Sequence, residues 1–182
     1  MRLLWISLAA CALYAQRPAR MGDVAAAKAS AERLKHLHDA LVTMKQGYWA
    51  GQVGIQGKAV AAWTALTEGR RDEAIATMRE AADLESATEK HIVTPGAIVP
   101  ARELLGFMLL ETGQPASALV EFEKSHAVEP NRLHGFAGAA RAAELAEERE
   151  KAKAHYTKVL ELTAKADVDH QERKLAQAFL TQ

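Results

Sequence analysis

One cysteine, Cys11, stands in the 182 residues, which excludes an intramolecular disulfide and any thiolate-rich zinc site. Neither sign of charge is in excess: 23 Lys+Arg balance 23 Asp+Glu. A nucleic-acid binder or a polybasic membrane-surface protein needs a basic surplus that is missing here. Alternating β-branched runs bounded by turn residues are absent from Asp23 to Gln182, so no strand is expected. No apolar run reaches the ~20 residues that span a bilayer as a helix. Catalytic signatures are lacking as well. There is no G-x-S-x-G, no P-loop, no dinucleotide fingerprint, no H-E-x-x-H and no C-x-x-C-H. These absences argue against an enzyme and leave no cofactor implied.

What is present is apolar and small. Hydrophobic residues make up 49% and aromatics only 5%, with alanine abundant, a composition suited to close-packed helices. At the N-terminus, Met1-Arg2 precedes an apolar run from Leu3 to Leu13 broken only by Ser7, and Tyr14-Ala15-Gln16 leads into polar Arg17-Pro18-Ala19-Arg20. A charged start, a short apolar run and small residues at its end describe a secretory signal peptide over residues 1–15, followed by a linker over 16–22. The expected location is then periplasmic or secreted. Leu8-Ala9-Ala10-Cys11 also fits a lipobox, with lipid on Cys11, and a first helix of a cytoplasmic protein is the third reading of the segment.

Beyond Asp23 the apolar spacing is helical. Val24, Ala27, Ala31, Leu34, Leu37, Leu41, Met44 and Tyr48 lay one stripe along a long helix, with Asp23 as N-cap and Gln46-Gly47 as the stop. A second helix is expected from about Tyr48 to Glu68, ended by Gly69. Its Gly51, Gly54 and Gly57 fall along one side, an arrangement expected to let a neighbouring backbone approach closely.

Self-similarity is the strongest signal. Leu105-Gly106 and Ala139-Ala140, Ala118 and Ala152, and Phe122 and Tyr156 are each 34 residues apart. A weaker copy comes earlier, with Ala61-Ala62, Ala65, Gly69, Ala74 and Met78; Ala74 lies 44 residues before Ala118, so ten extra residues break the register. The packing logic is direct. Small Gly106, Ala140, Ala62, Ala118, Ala152 and Ala74 belong where helices cross closely, and larger Phe122, Tyr156 and Met78 fill the space between successive pairs. One helical hairpin cannot bury its apolar face alone, so stacking supplies the core.

The spacing and residues resemble the tetratricopeptide repeat, most clearly in PARELLGFMLLETGQPASALVEFEKSHAVEPN from Pro100 to Asn131. Over roughly residues 25–180 the chain is similar to the C-terminal part of a group of exported bacterial proteins of this class. The resemblance implies an all-α, right-handed α-α superhelix, a solenoid of about seven helices. Repeats fall near 55–88, 99–132 and 133–166 within a domain over 23–182, and a capping helix over 169–180. It also implies a scaffold-like role, with no catalytic residue to carry over.

Two places are candidates for binding. The first helices of the pairs line the concave face of such solenoids, which points to Gln56, Ala59 and Trp63, then Glu103, Phe107 and Glu111, then His134, Arg141 and Glu144 as contacts for a protein or peptide partner. The second is the interruption around Thr94-Pro95-Gly96, where Glu89, Lys90, His91 and Thr94 suggest the alternative of a small-molecule or metal carrier. His36 and His38 diverge by about 200° on a helix and cannot chelate together. His126, His134 and His155 lie in adjoining helices, with nothing in their spacing that brings them together. No metal site is expected. Self-association through the long first helix or an open end of the stack is a further expectation.

Overall fold

The computed structural model describes residues 18–89, 99–167 and 170–181, and among them there are helices and no strand. Eight helices are bounded: α1 Val24–Thr43, α2 Gly47–Thr67, α3 Arg71–Ala87, α4 Ala101–Glu111, α5 Pro115–Val128, α6 Leu133–Leu145, α7 Arg149–Leu162 and α8 Gln171–Leu180. No helix among the described residues is long and apolar enough to cross a membrane. The signal-peptide reading of residues 1–15 lies outside the described residues.

The turns between helices repeat one backbone device. Gly22, Lys45, Gly69, Gly113 and Glu147 all have positive φ, at 81°, 56°, 81°, 72° and 60°. After each, the next amide reaches back five residues. Asp23 N–H donates to Pro18, Gln46 to Leu41, Arg70 to Ala65, Gln114 to Leu109 and Glu148 to Ala143, at 2.8–2.9 Å. This closes the orphan carbonyls of a helix end, and the next helix starts one residue later. The first helix therefore stops at Thr43 with Lys45 in the left-handed turn. Gly47, expected in the stop, is the first residue of α2 instead. From residue 18, the segment read as a linker is ordered on the same plan: residues 18–20 are helical, and Thr67 Oγ1 donates to the Ala19 carbonyl at 2.8 Å.

Two compact units are distinguished, residues 1–104 and 105–182. In the first, α2 packs against both α1 and α3. A helix flanked on two sides needs apolar residues around most of its circumference, and Val53, Ile55, Ala59, Val60, Ala62, Trp63 and Ala65 are all buried. Leu34, Leu41, Ala50, Val53 and Val60 form a core with Ala31, Leu37 and Trp49 against it. The expectation for the glycine side of α2 is overturned. A Cβ on Gly51 or Gly57 would meet nothing within 4 Å among the described residues, and one on Gly54 would meet only the His38 ring at 3.7 Å. No neighbouring backbone among the described residues needs these glycines. At the end of this unit, Glu85 Oε2 accepts from Ala101 N–H at 2.6 Å, and Arg102 Nη2 reaches Asp83 Oδ1 at 3.0 Å and Ser86 Oγ at 2.8 Å. The chain on either side of residues 90–98 is thereby clamped, and an otherwise orphan amide opening α4 is satisfied by a carboxylate.

In the second unit α5 packs on α6, α6 on α7, and α8 on both α7 and α6. Phe122 is fully buried and its ring lies where side chains on two helices would be: a Cβ on Gly106 of α4 would sit 2.7 Å from it, and one on Gly138 of α6 only 2.4 Å. The ring fits because both positions are glycine. Gly106, Ala140, Ala62, Ala118, Ala152 and Ala74 are buried, as are Phe122, Tyr156 and Met78. α8 is held by Tyr156 against Phe179, at 4.8 Å between centroids, and by Arg173 Nη1 donating to the Thr163 carbonyl at 3.0 Å.

Candidate functional site

The candidate contact residues divide by burial. Arg141 and His134 on α6 are open, with side-chain exposures of 53% and 70%, and Glu144 completes the same helix face at spacings of seven and three. Arg141 Nη1 lies 3.0 Å from Glu144 Oε2, which also accepts from Tyr156 Oη at 2.8 Å. Burial and this carboxylate together raise the Tyr156 phenol above its ordinary range, so the hydroxyl stays a donor at neutral pH. Glu144 is thus fixed from α7 while Arg141 is tethered on one side only. His134 Nδ1 pairs with Glu172 Oε1 of α8 at 3.1 Å. On α4, Glu111 is exposed, and Phe107 is half-buried with its ring edge-to-face on Phe122, at 5.0 Å and 74°.

Three other candidates stand differently. Trp63 is 1% exposed and lies under Arg20, whose guanidinium carbon is 4.7 Å from the ring centroid. Its neighbour on the same helix face, Ala59, is buried too, and Glu103 has 0% exposure. Trp63, Ala59 and Glu103 therefore offer no surface to a partner, a correction to their placement in a groove. Spacing placed Trp63 in the groove, and it could not show that the Arg20 guanidinium lies over that ring. Gln56 is half-buried. Of the loop candidates Glu89 is exposed, whereas Lys90, His91 and Thr94 lie outside the described residues.

A cluster that spacing left undetermined is assembled in the second unit. The His126 ring of α5 stacks on Phe136 of α6, with centroids 3.9 Å apart and planes at 14°. His155 of α7 closes the group at 5.7 Å from His126 and 5.9 Å from Phe136. His155 Nε2 lies 3.6 Å from Glu123 Oε1, and Lys151 Nζ is 3.5 Å from the same oxygen. His134, the third histidine considered, is engaged with α8. Burial holds His126 and His155 below the usual histidine value. For His126 the backbone of Gly135 opposes this, and for His155 the Glu123 carboxylate does, each with smaller effect. His126 Nε2 is buried and has no hydrogen-bond partner among the described residues. No group of three or more His, Cys, Asp or Glu among the described residues is arranged to hold a metal ion. The sequence signal for this cluster was the count of histidines on successive helices; what brings two of them together is the crossing of α5 and α7 over α6.

Comparison with protein-family models, with curated proteins and with solved structures finds no match to this chain.

Proposed function

We propose that the chain is a noncovalent binding scaffold, a short stack of tetratricopeptide-like hairpins that takes a peptide segment of a partner protein on the first-helix faces of residues 105–182. The observation that carries this reading is Phe122 lodged against Gly106 and Gly138. It supports an arrangement in which the first helices of two successive hairpins meet over one ring, as the thirty-four-residue spacing requires. The faces these helices offer hold Phe107 and Glu111 on α4 and His134, Arg141 and Glu144 on α6. An aromatic with a partly tethered arginine is the composition that dominates peptide recognition. The even charge balance favours a shape-driven contact over long-range steering. Action after export is part of the proposal and rests on the pattern of residues 1–15.

The test is selection of peptides from a displayed library on the purified chain, followed by affinity measurement. Arg141→Glu reverses the charge at an exposed position and should leave the helical circular dichroism unchanged. The expected result is a family of related peptides whose binding falls roughly thirtyfold in that variant, about 2 kcal/mol, as for a central arginine contact. Unrelated peptides, or a family that binds the variant as it binds the wild type, contradict the proposal.

A further inference from the structure

We infer that the junction of α5, α6 and α7 is a proton-operated joint: uptake of protons by His126 and His155 loosens α6 from its neighbours, and with it the face that carries His134, Arg141 and Glu144. The loosening rests on the cluster geometry and the burial of its rings, whereas its effect on a partner rests on the binding role proposed above.

Each of the three helices contributes one ring. His126 comes from α5, Phe136 from α6 and His155 from α7, all within 5.9 Å of one another. In neutral form the rings are apolar fillers as well as hydrogen-bonding groups, and they suit a half-buried seam. Doubly protonated, they place two cations at 5.7 Å between centroids in a half-buried site.

The charges facing the pair cannot balance both. From α5 comes Glu123, next to His155. From α7 comes Lys151, which already draws on Glu123 at 3.5 Å and is held by Glu148 at 3.0 Å. From α6 come the Phe136 ring and the Gly135 backbone, neither of which carries a charge.

The sign follows from burial being the largest influence on each ring. A histidine held below its unfolded value of about 6.5 contributes stability that is fully present above that value. That contribution is lost as pH falls from about 6.5 toward the folded values. At neutral pH the joint is closed, and mild acid opens it.

The test uses the full chain, with amide exchange in α6 measured at pH 7.5 and 5.5 after correction for intrinsic rates, and with ring-proton titration by NMR. The expected result is a loss of α6 protection of roughly tenfold or more at the lower pH. The double variant His126→Phe plus His155→Gln should keep its protection, and His36→Gln, at an exposed position of α1, should lose α6 protection as wild type does. If the double variant does not fold, His155→Gln alone should show a smaller loss than wild type.

A loss in the His126 and His155 variants equal to that of wild type overturns the joint, as does titration of both rings at or above 6.5. Peptides selected as above should dissociate over the same pH range in wild type only. Unchanged peptide affinity alongside the expected exchange result overturns the link to the face and leaves the joint standing.

Discussion

Phe122 is the residue on which the second unit turns. A phenyl ring at 0% exposure is placed where two glycines leave a slot, and the fit has no slack on either side. Adding a methyl group at 2.4–2.7 Å from ring carbons forces a buried, stiff side chain to move. Gly106→Ala and Gly138→Ala should each destabilise the chain by about 1–3 kcal/mol, despite alanine's better helix propensity. The same change in α2 has the opposite sign. Gly51 and Gly57 face open space within a helix, so Gly51→Ala and Gly57→Ala should each stabilise by roughly 0.5–1 kcal/mol. Urea denaturation of the four variants measures both effects. Stabilisation by Gly138→Ala, or destabilisation by Gly51→Ala, contradicts the packing described. Gly106 was legible as a close-crossing position because it fell in the repeat register. Gly138 was not, because the thirty-four-residue spacing pairs Gly106 with Ala140, two residues further along, and a register names equivalent positions but not the ring that sits between them.

At the scale of the element, one left-handed residue ends the helical segment before each of α1, α2, α3, α5 and α7, and two of the five are not glycine. Lys45 and Glu147 carry a Cβ into a region that costs about 1 kcal/mol or more for such residues. Gly113 meets the same demand, with φ at 72°, without that cost. Glu147→Gly should therefore raise stability by up to about 1 kcal/mol, and Gly113→Ala should lower it by about the same amount, as read from thermal unfolding. Opposite signs at two turns of the same geometry are the expected outcome; a loss in both variants would mean that the Glu147 side chain has a role the backbone does not show. The helices themselves were legible from apolar spacing, and the stop at Gly69 from its residue type. The stop at Lys45 was not, since a lysine announces no positive φ and the nearby Gly47 drew the boundary toward itself. The glycines of α2 misled for a related reason. Regular spacing marks a face but does not say whether a neighbour or solvent lies against it.

For the whole molecule, the sequence carried the all-helical class and the buried small residues. Of the candidate face residues, Arg141, His134 and Glu111 are exposed. Trp63 is buried, with the guanidinium of Arg20, in the segment read as linker, lying over its ring. Long-range covering of this kind leaves no mark in local periodicity. The joining of His126 and His155 is illegible for the same reason. Charge is balanced overall, so the partner binding proposed for the chain would draw its specificity from contact surface.

The most direct measurement is backbone amide NMR of the chain titrated with a library-selected peptide. Shifts confined to Phe107, Glu111, His134, Arg141, Glu144 and their immediate neighbours are the expected result. Shifts centred on α1 or on the exposed side of α3, or none at saturating peptide, would contradict a binding face built on α4 and α6.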